Sequence, residues 1–91
     1  MTDPIRDNVA QCRFELQVGD QIAFARYRRE PARLVITYVY APPMLRGTGA
    51  ADRLMEGVAA HARSGGDQII PLCGYARAWL HGHGAHGDLL A

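Results

Sequence analysis

From Cys12 onward apolar and polar residues alternate. Phe14, Leu16 and Val18 fall on one side and Arg13, Glu15 and Gln17 on the other, the period of two that a half-buried strand requires. Gly19 and Asp20 mark a turn, and residues 21–28 resume the alternation, with Ile22 and Phe24 on one face and Ala23, Ala25 and Tyr27 on the opposite one. The two segments predict a hairpin. Pro31 breaks the chain, and the run Arg33–Tyr40 is the most β-prone of the sequence, rich in branched and aromatic side chains. Its nearly continuous apolar character predicts a central strand covered on both faces, ended by Pro42 and Pro43, which cannot donate to a ladder.

The period then changes. Residues 48–63 place Ala51, Leu54, Met55, Val58, Ala59 and Ala62 at helical spacing, an apolar stripe to lie on the sheet. Gly57 sits inside that helix at a cost of about 1 kcal/mol against alanine, which points to close packing there. Ser64, Gly65 and Gly66 supply the exit. Residues 68–73 read as a short buried strand, parallel to the central one because a helix crosses between them. Residues 75–81 read as a last short helix anchored by Trp79 and Leu80, before a glycine- and histidine-rich tail.

Composition narrows the function classes. A chain of 91 residues with 48% hydrophobic and 21% charged residues suits one folded domain with a modest core, over residues 1–91. The net charge of +1 argues against a nucleic-acid partner that needs a broad basic face. All ten cationic side chains are arginine, so the chain offers no side-chain amine of its own. Cys12 and Cys73 fit two free thiols in a reducing compartment. With no apolar leader and no long apolar run, the expectation is a cytoplasmic protein without membrane contact, monomeric or weakly dimeric. His81, His83 and His86 are spaced for metal binding, but a glycine-rich tail cannot pre-organise them, and no metal site is expected.

The candidate chemistry lies between strand and long helix. In residues 45–63 an arginine, two glycines and two alanines open directly into the amphipathic run, so the amides of Gly47 to Ala51 would point outward at a helix N-terminus, where anions are stabilised. Asp52 falls in the first turn and complements the helix dipole. No Gly-Lys-Ser/Thr triplet follows, and a dinucleotide fingerprint fails at its third glycine; a plain glycine-rich turn is the bland alternative. Arg26, Arg28 and Arg29 form a positive cluster that is either a solvated strand face or a phosphate contact.

The run Arg46-Gly47-Thr48-Gly49-Ala50-Ala51 resembles the Q/R-x-x-G-x-G/A signature of the GNAT superfamily of acyl-CoA-dependent N-acyltransferases. Val35 to Pro43, Pro71-Leu72-Cys73, His83 and Asp88-Leu89-Leu90 extend the resemblance to its short, single-domain YjdJ-type subgroup. The resemblance implies an α+β fold: a mixed, mostly antiparallel sheet with two splayed parallel central strands, one long helix after the glycine-rich loop and a short C-terminal helix. It implies acetyl-CoA as cosubstrate, with the pyrophosphate on the amides of Gly47, Thr48, Gly49, Ala50 and Ala51, Arg46 at the start of the loop, and Val39, Tyr40 and Ala41 facing the pantetheine amides. The acceptor would be a small-molecule or protein amine.

Two departures matter. Tyr40 stands where relatives often carry a glutamate on the strand that supplies the general base, and a phenol with an ordinary pKa near 10 is a poor base at neutral pH. Gly74 and Gly84 replace prolines, which would loosen the last helix. A backbone N–H near Ala41 could polarise the thioester carbonyl, and the candidate catalytic side chains are Tyr75, as proton donor to the leaving thiolate, and Cys73, as nucleophile. Each has a plainer alternative, a core aromatic and a buried or cleft-lining thiol. His61 reads as surface. Two functions stand: an N-acetyltransferase, or a non-catalytic CoA-binding or interaction module, which the lack of an acceptor-shaping helical pair keeps open.

Overall fold

The computed structural model describes residues 5–91 and sets a strand ahead of the first one the alternation predicts. This β1 (Ile5–Asn8) pairs antiparallel with β2 (Arg13–Val18). Its I-R-D-N sequence holds one apolar residue and no readable period. Polar side chains distant in sequence hold it instead. The Tyr27 hydroxyl and the Arg29 guanidinium both donate to Asp7, and the Asn8 amide donates to Glu15 at 3.0 Å. Ile5 lies so close over Gly57 that a Cβ there would meet its side chain at 1.9 Å, which explains a glycine inside the long helix.

Strand β2 and β3 (Gln21–Glu30) form the expected hairpin around Gly19, whose φ of +62° suits glycine, and β3 runs two residues past the predicted end. Strand β4 (Arg33–Tyr40) has the predicted bounds and is antiparallel to β3, while β5 (Gln68–Pro71) joins it in parallel. The sheet order is β1-β2-β3-β4-β5, mixed and mostly antiparallel as expected. Between β4 and β5 runs α1 (Ala50–Gly65), beginning two residues later than the periodicity suggests because Gly49 is left-handed at φ +84° and caps it; Gly66 caps the other end.

Helix α1 buries Ala50, Leu54, Met55, Val58, Ala59 and Ala62. Ala50, not the predicted Ala51, faces the core; Ala51 is half-exposed. Each large apolar side chain buried this way contributes about 1.5–3 kcal/mol. They meet Phe14, Leu16, Ala23, Ala25, Tyr27, Leu34, Ile36 and Ile69 from one face of the sheet, and Ala76, Trp79 and Leu80 from α2 (Gly74–Gly82), in a single core. Gly74 and Gly84 do not prevent α2 from forming.

The expectation that β4 is covered on both faces is corrected: Leu34, Val35 and Ile36 are buried, but Tyr38 is 49% exposed. The tail is pinned rather than loose. Leu90 bridges Ile69, Arg63 pairs with Asp88 at 2.8 Å, and the rings of His83 and His86 stack on Trp79 at 4.0 and 5.5 Å. The arginine cluster is surface: Arg28 pairs with Glu30 at 3.1 Å and Arg29 with Asp7 at 2.9 Å. Cys12 and Cys73 are free thiols, and among the described residues no helix is long and apolar enough to cross a membrane.

Candidate functional site

Strand β4 outruns β5. Their pairing ends at Ile36↔Pro71, after which the amides of Leu72 and Cys73 both donate to the Ile36 carbonyl, at 2.9 and 3.3 Å, and the chain turns away into α2. Beyond that point β4 keeps its β3 partners, Tyr38↔Arg26, Val39↔Ala25 and Tyr40↔Phe24. On its other side, among the described residues, no strand replaces β5.

The register also shifts here. Thr37 is skipped between Ile36↔Tyr27 and Tyr38↔Arg26, a bulge pinned by its hydroxyl donating to the Arg26 carbonyl at 3.2 Å. A bulge adds local twist and restarts the alternation. Val39 therefore packs on the core, and Tyr38 and Tyr40 point to the opposite face.

Past Tyr40, a turn over Pro43–Leu45 reverses the chain. Arg46 folds back, its Nε donating to the Ala41 carbonyl at 3.0 Å and its guanidinium lying 5.9 Å from the centre of the Tyr40 ring. Gly47 and Gly49 are left-handed, at φ +78° and +84°. The loop spends part of its donor set on itself: the Thr48 amide bonds the Leu45 carbonyl at 3.2 Å, and the Ala50 amide bonds the Thr48 hydroxyl at 3.4 Å. Among the described residues, the amides of Gly47, Gly49 and Ala51 have no partner. They stand at the positive end of α1.

These pieces enclose an open cavity of about 430 Å³. Of the residues expected at a site, it gathers Val39, Tyr40, Ala41, Arg46, Gly47, Gly49, Ala50, Ala51 and Tyr75. Thr48 and Cys73 are not in its lining. Cys73 caps α2 and packs half-buried on the core, so of the two catalytic candidates only Tyr75 reaches the cavity. Tyr75 is 43% exposed, not a core aromatic. Partial burial, and then the charge of Asp52, push its phenol above the ordinary range, so it stays protonated at neutral pH.

Sequence reasoning missed three lining residues, Tyr38, Leu45 and Asp52. In the sequence Asp52 offers only a complement to the helix dipole; in the fold its carboxylate accepts from the Trp79 indole N–H at 2.7 Å and ties α1 to α2 at the cavity rim. Two of the three tail histidines are engaged in packing: the His86 ring lies 3.1 Å from Glu56 and His83 Nδ1 is 2.7 Å from the Trp79 carbonyl, and among the described residues no group of ligands could hold a metal.

The sequence model of the GCN5-related N-acetyl-transferase family matches residues 13–89. The solution structure of a GCN5-like protein from Staphylococcus aureus superposes with a TM-score of 0.76 at 22% identity, covering 100% of this chain and 91% of the other. That likeness bears on the fold. No curated protein matches the chain significantly.

Proposed function

Because the chain belongs to the GCN5-related N-acetyltransferase family, matched over residues 13–89, we propose that it binds acetyl-CoA beyond Ile36 and transfers the acetyl group to an amine. One observation carries this reading: β4 outruns β5 beside a cavity whose wall is the glycine-rich N-terminus of α1. A strand edge without a neighbour pairs with extended amide-bearing ligands, and a helix N-terminus favours phosphate. The residues present fit the cofactor on both counts. The volume falls within the 300–1,000 Å³ range typical of small-molecule sites.

Acetyl-CoA would supply the thioester as acyl donor. The amides of Gly47, Gly49 and Ala51, with Arg46, hold its diphosphate, while Thr48 and Ala50 spend their amides on the loop and keep its shape. Val39, Tyr40 and Ala41 present backbone groups to the pantetheine arm. Tyr75, kept protonated by partial burial and by Asp52, returns a proton to the leaving thiolate. Strand β4 brings no carboxylate to the cavity and the one in its lining, Asp52, is held by the Trp79 indole N–H, so the proton of the attacking amine leaves to solvent through the open mouth. That same lack supports the second reading, a module that binds CoA without turnover.

Calorimetric titration with CoA, run beside mass spectrometry of polyamines, amino acids and lysine peptides incubated with acetyl-CoA, separates the two. Binding with acetylated product is the expected result. Binding without product assigns the module, and absence of binding overturns both readings.

A further inference from the structure

The face of the sheet turned away from the helices carries a second pattern. Strand registers set Arg6, Glu15, Phe24 and Tyr40 in one row across β1 to β4, and Asn8, Arg13, Arg26 and Tyr38 in the next. The intervening residues Phe14, Ala25 and Val39 point the other way, into the core. Further along the same face Arg28 stands opposite Val35, and Arg33 opposite Glu30. Five arginines thus face two glutamates, in a chain whose overall charge is +1.

The aromatic residues form one cluster, with Phe24 5.4 Å from Tyr40 and 6.2 Å from Tyr38. Arg13 and Arg26 lie over the Phe24 ring at 4.6 and 5.7 Å. Tyr38 is 49% exposed and Arg26 is exposed beside it. Tyr38 and Tyr40 also line the cavity, so this face runs without a break to the place where an acetyl group would be delivered.

We propose that this face docks the amine acceptor and that the acceptor is an acidic polypeptide segment. The inference rests on the acetyl-transfer reading for the use of the cavity, but not for the charge preference of the face. Guanidinium groups pair with carboxylates through parallel hydrogen bonds, and the half-exposed rings cover the apolar parts of an extended chain. A polyamine would meet arginine on most of the surface and be repelled. Single-stranded nucleic acid needs a series of open ring faces for stacking, and here guanidinium groups already cover Phe24, leaving Tyr38 as the most exposed ring of the cluster.

The test uses two peptides of equal length with one lysine each, flanked by glutamates or by arginines, titrated by fluorescence anisotropy onto the protein with and without saturating CoA. The acidic peptide should bind at least about tenfold more tightly. The gap should narrow as salt rises. Arg26→Glu should abolish the preference and Arg26→Lys keep much of it, while calorimetry gives the same CoA affinity for both variants. Equal binding of the two peptides, or a preference that survives Arg26→Glu, overturns the proposal. So does a single-stranded oligonucleotide that binds more tightly than the acidic peptide. If CoA fails to bind while the charge preference persists, the acetyl-transfer reading falls and the docking surface stands.

Discussion

Leu34, Val35 and Ile36, in the first half of β4, lie between β3 and β5 with at most 1% of their surface exposed, whereas Tyr38, Val39 and Tyr40 have β3 on one side and the cavity on the other. Both halves are made of branched and aromatic residues, and in the sequence they form one uninterrupted run. What separates them is the length of the neighbouring strand and one extra residue, Thr37. A strand that outlasts its neighbour leaves backbone groups that need partners, and a bulge at the same point re-aims the side chains. In this protein the open edge beside the cavity arises where a core strand loses half of its cover.

The widest gap between the halves should appear in stability. Ile36→Ala should cost about 2–5 kcal/mol, as truncation of a fully buried aliphatic does. Tyr38→Ala should stay within about 1 kcal/mol, because its ring is half in water. Urea denaturation of both variants checks this, and equal losses would erase the distinction.

The next effect belongs to the open half alone. Tyr75→Phe should lower kcat by about 10²-fold with CoA affinity nearly unchanged. Since burial and Asp52 raise the Tyr75 phenol, the wild-type rate should hold through neutral pH and decline only as pH rises through that raised value, a decline the phenylalanine variant should lack. Cys73→Ala, with its thiol against the core, should lose stability rather than rate.

Gly49→Val probes the wall of the cavity. Valine is strained at φ +84°, and the bulk obstructs approach to the amides, so CoA affinity should drop about tenfold or more, equivalent to about 1.4 kcal/mol. An unchanged affinity by calorimetry in a folded variant would remove the loop from the site.

The smallest effect lies on β2, away from the cavity, in the row that ends at Tyr40. Burial alone would raise Glu15, but hydrogen bonds from Asn8 and Arg13 and the charges of Arg13 and Arg6 outweigh it and hold the carboxyl below its usual value. The stabilisation is therefore present above the unfolded pKa near 4.3 and is lost as pH falls through the lower folded value. Glu15→Gln should remove about 1 kcal/mol at neutral pH and flatten the acid limb of the stability curve, leaving CoA affinity alone. Chemical denaturation across acid pH reads it, and an acid limb unchanged in the variant would assign that limb elsewhere.

Local patterns made much of this molecule legible. The alternation of Phe14, Leu16 and Val18, the bounds of β4, the stripe of α1 and the Gly66 cap are each written within a few residues, because strand and helix periods act over that range. The short strand β1 was not legible, since its partners Tyr27, Arg29 and Gly57 stand far along the chain. The spacing of the tail histidines left their partners open, and the rings of His83 and His86 stack on Trp79, one from the next helical turn and the other from further along the chain.

By itself the sequence determined the order of strand, sharp exit, glycine loop and helix that builds the turn at the N-terminus of α1, and it named most of the residues that line the cavity. Those choices depend on backbone freedom at Gly47 and Gly49 and on the missing amide donors of Pro42 and Pro43, which are properties of single residues. Only the tertiary structure decided that Thr37 bulges, that Ile36 is the last residue of β4 to meet β5, that Cys73 turns to the core while Tyr75 turns to the cavity, and that Asp52 joins the two helices through Trp79. Register, bulge and side-chain partner are set by contacts between segments that the folded sheet brings together, and no local period encodes them.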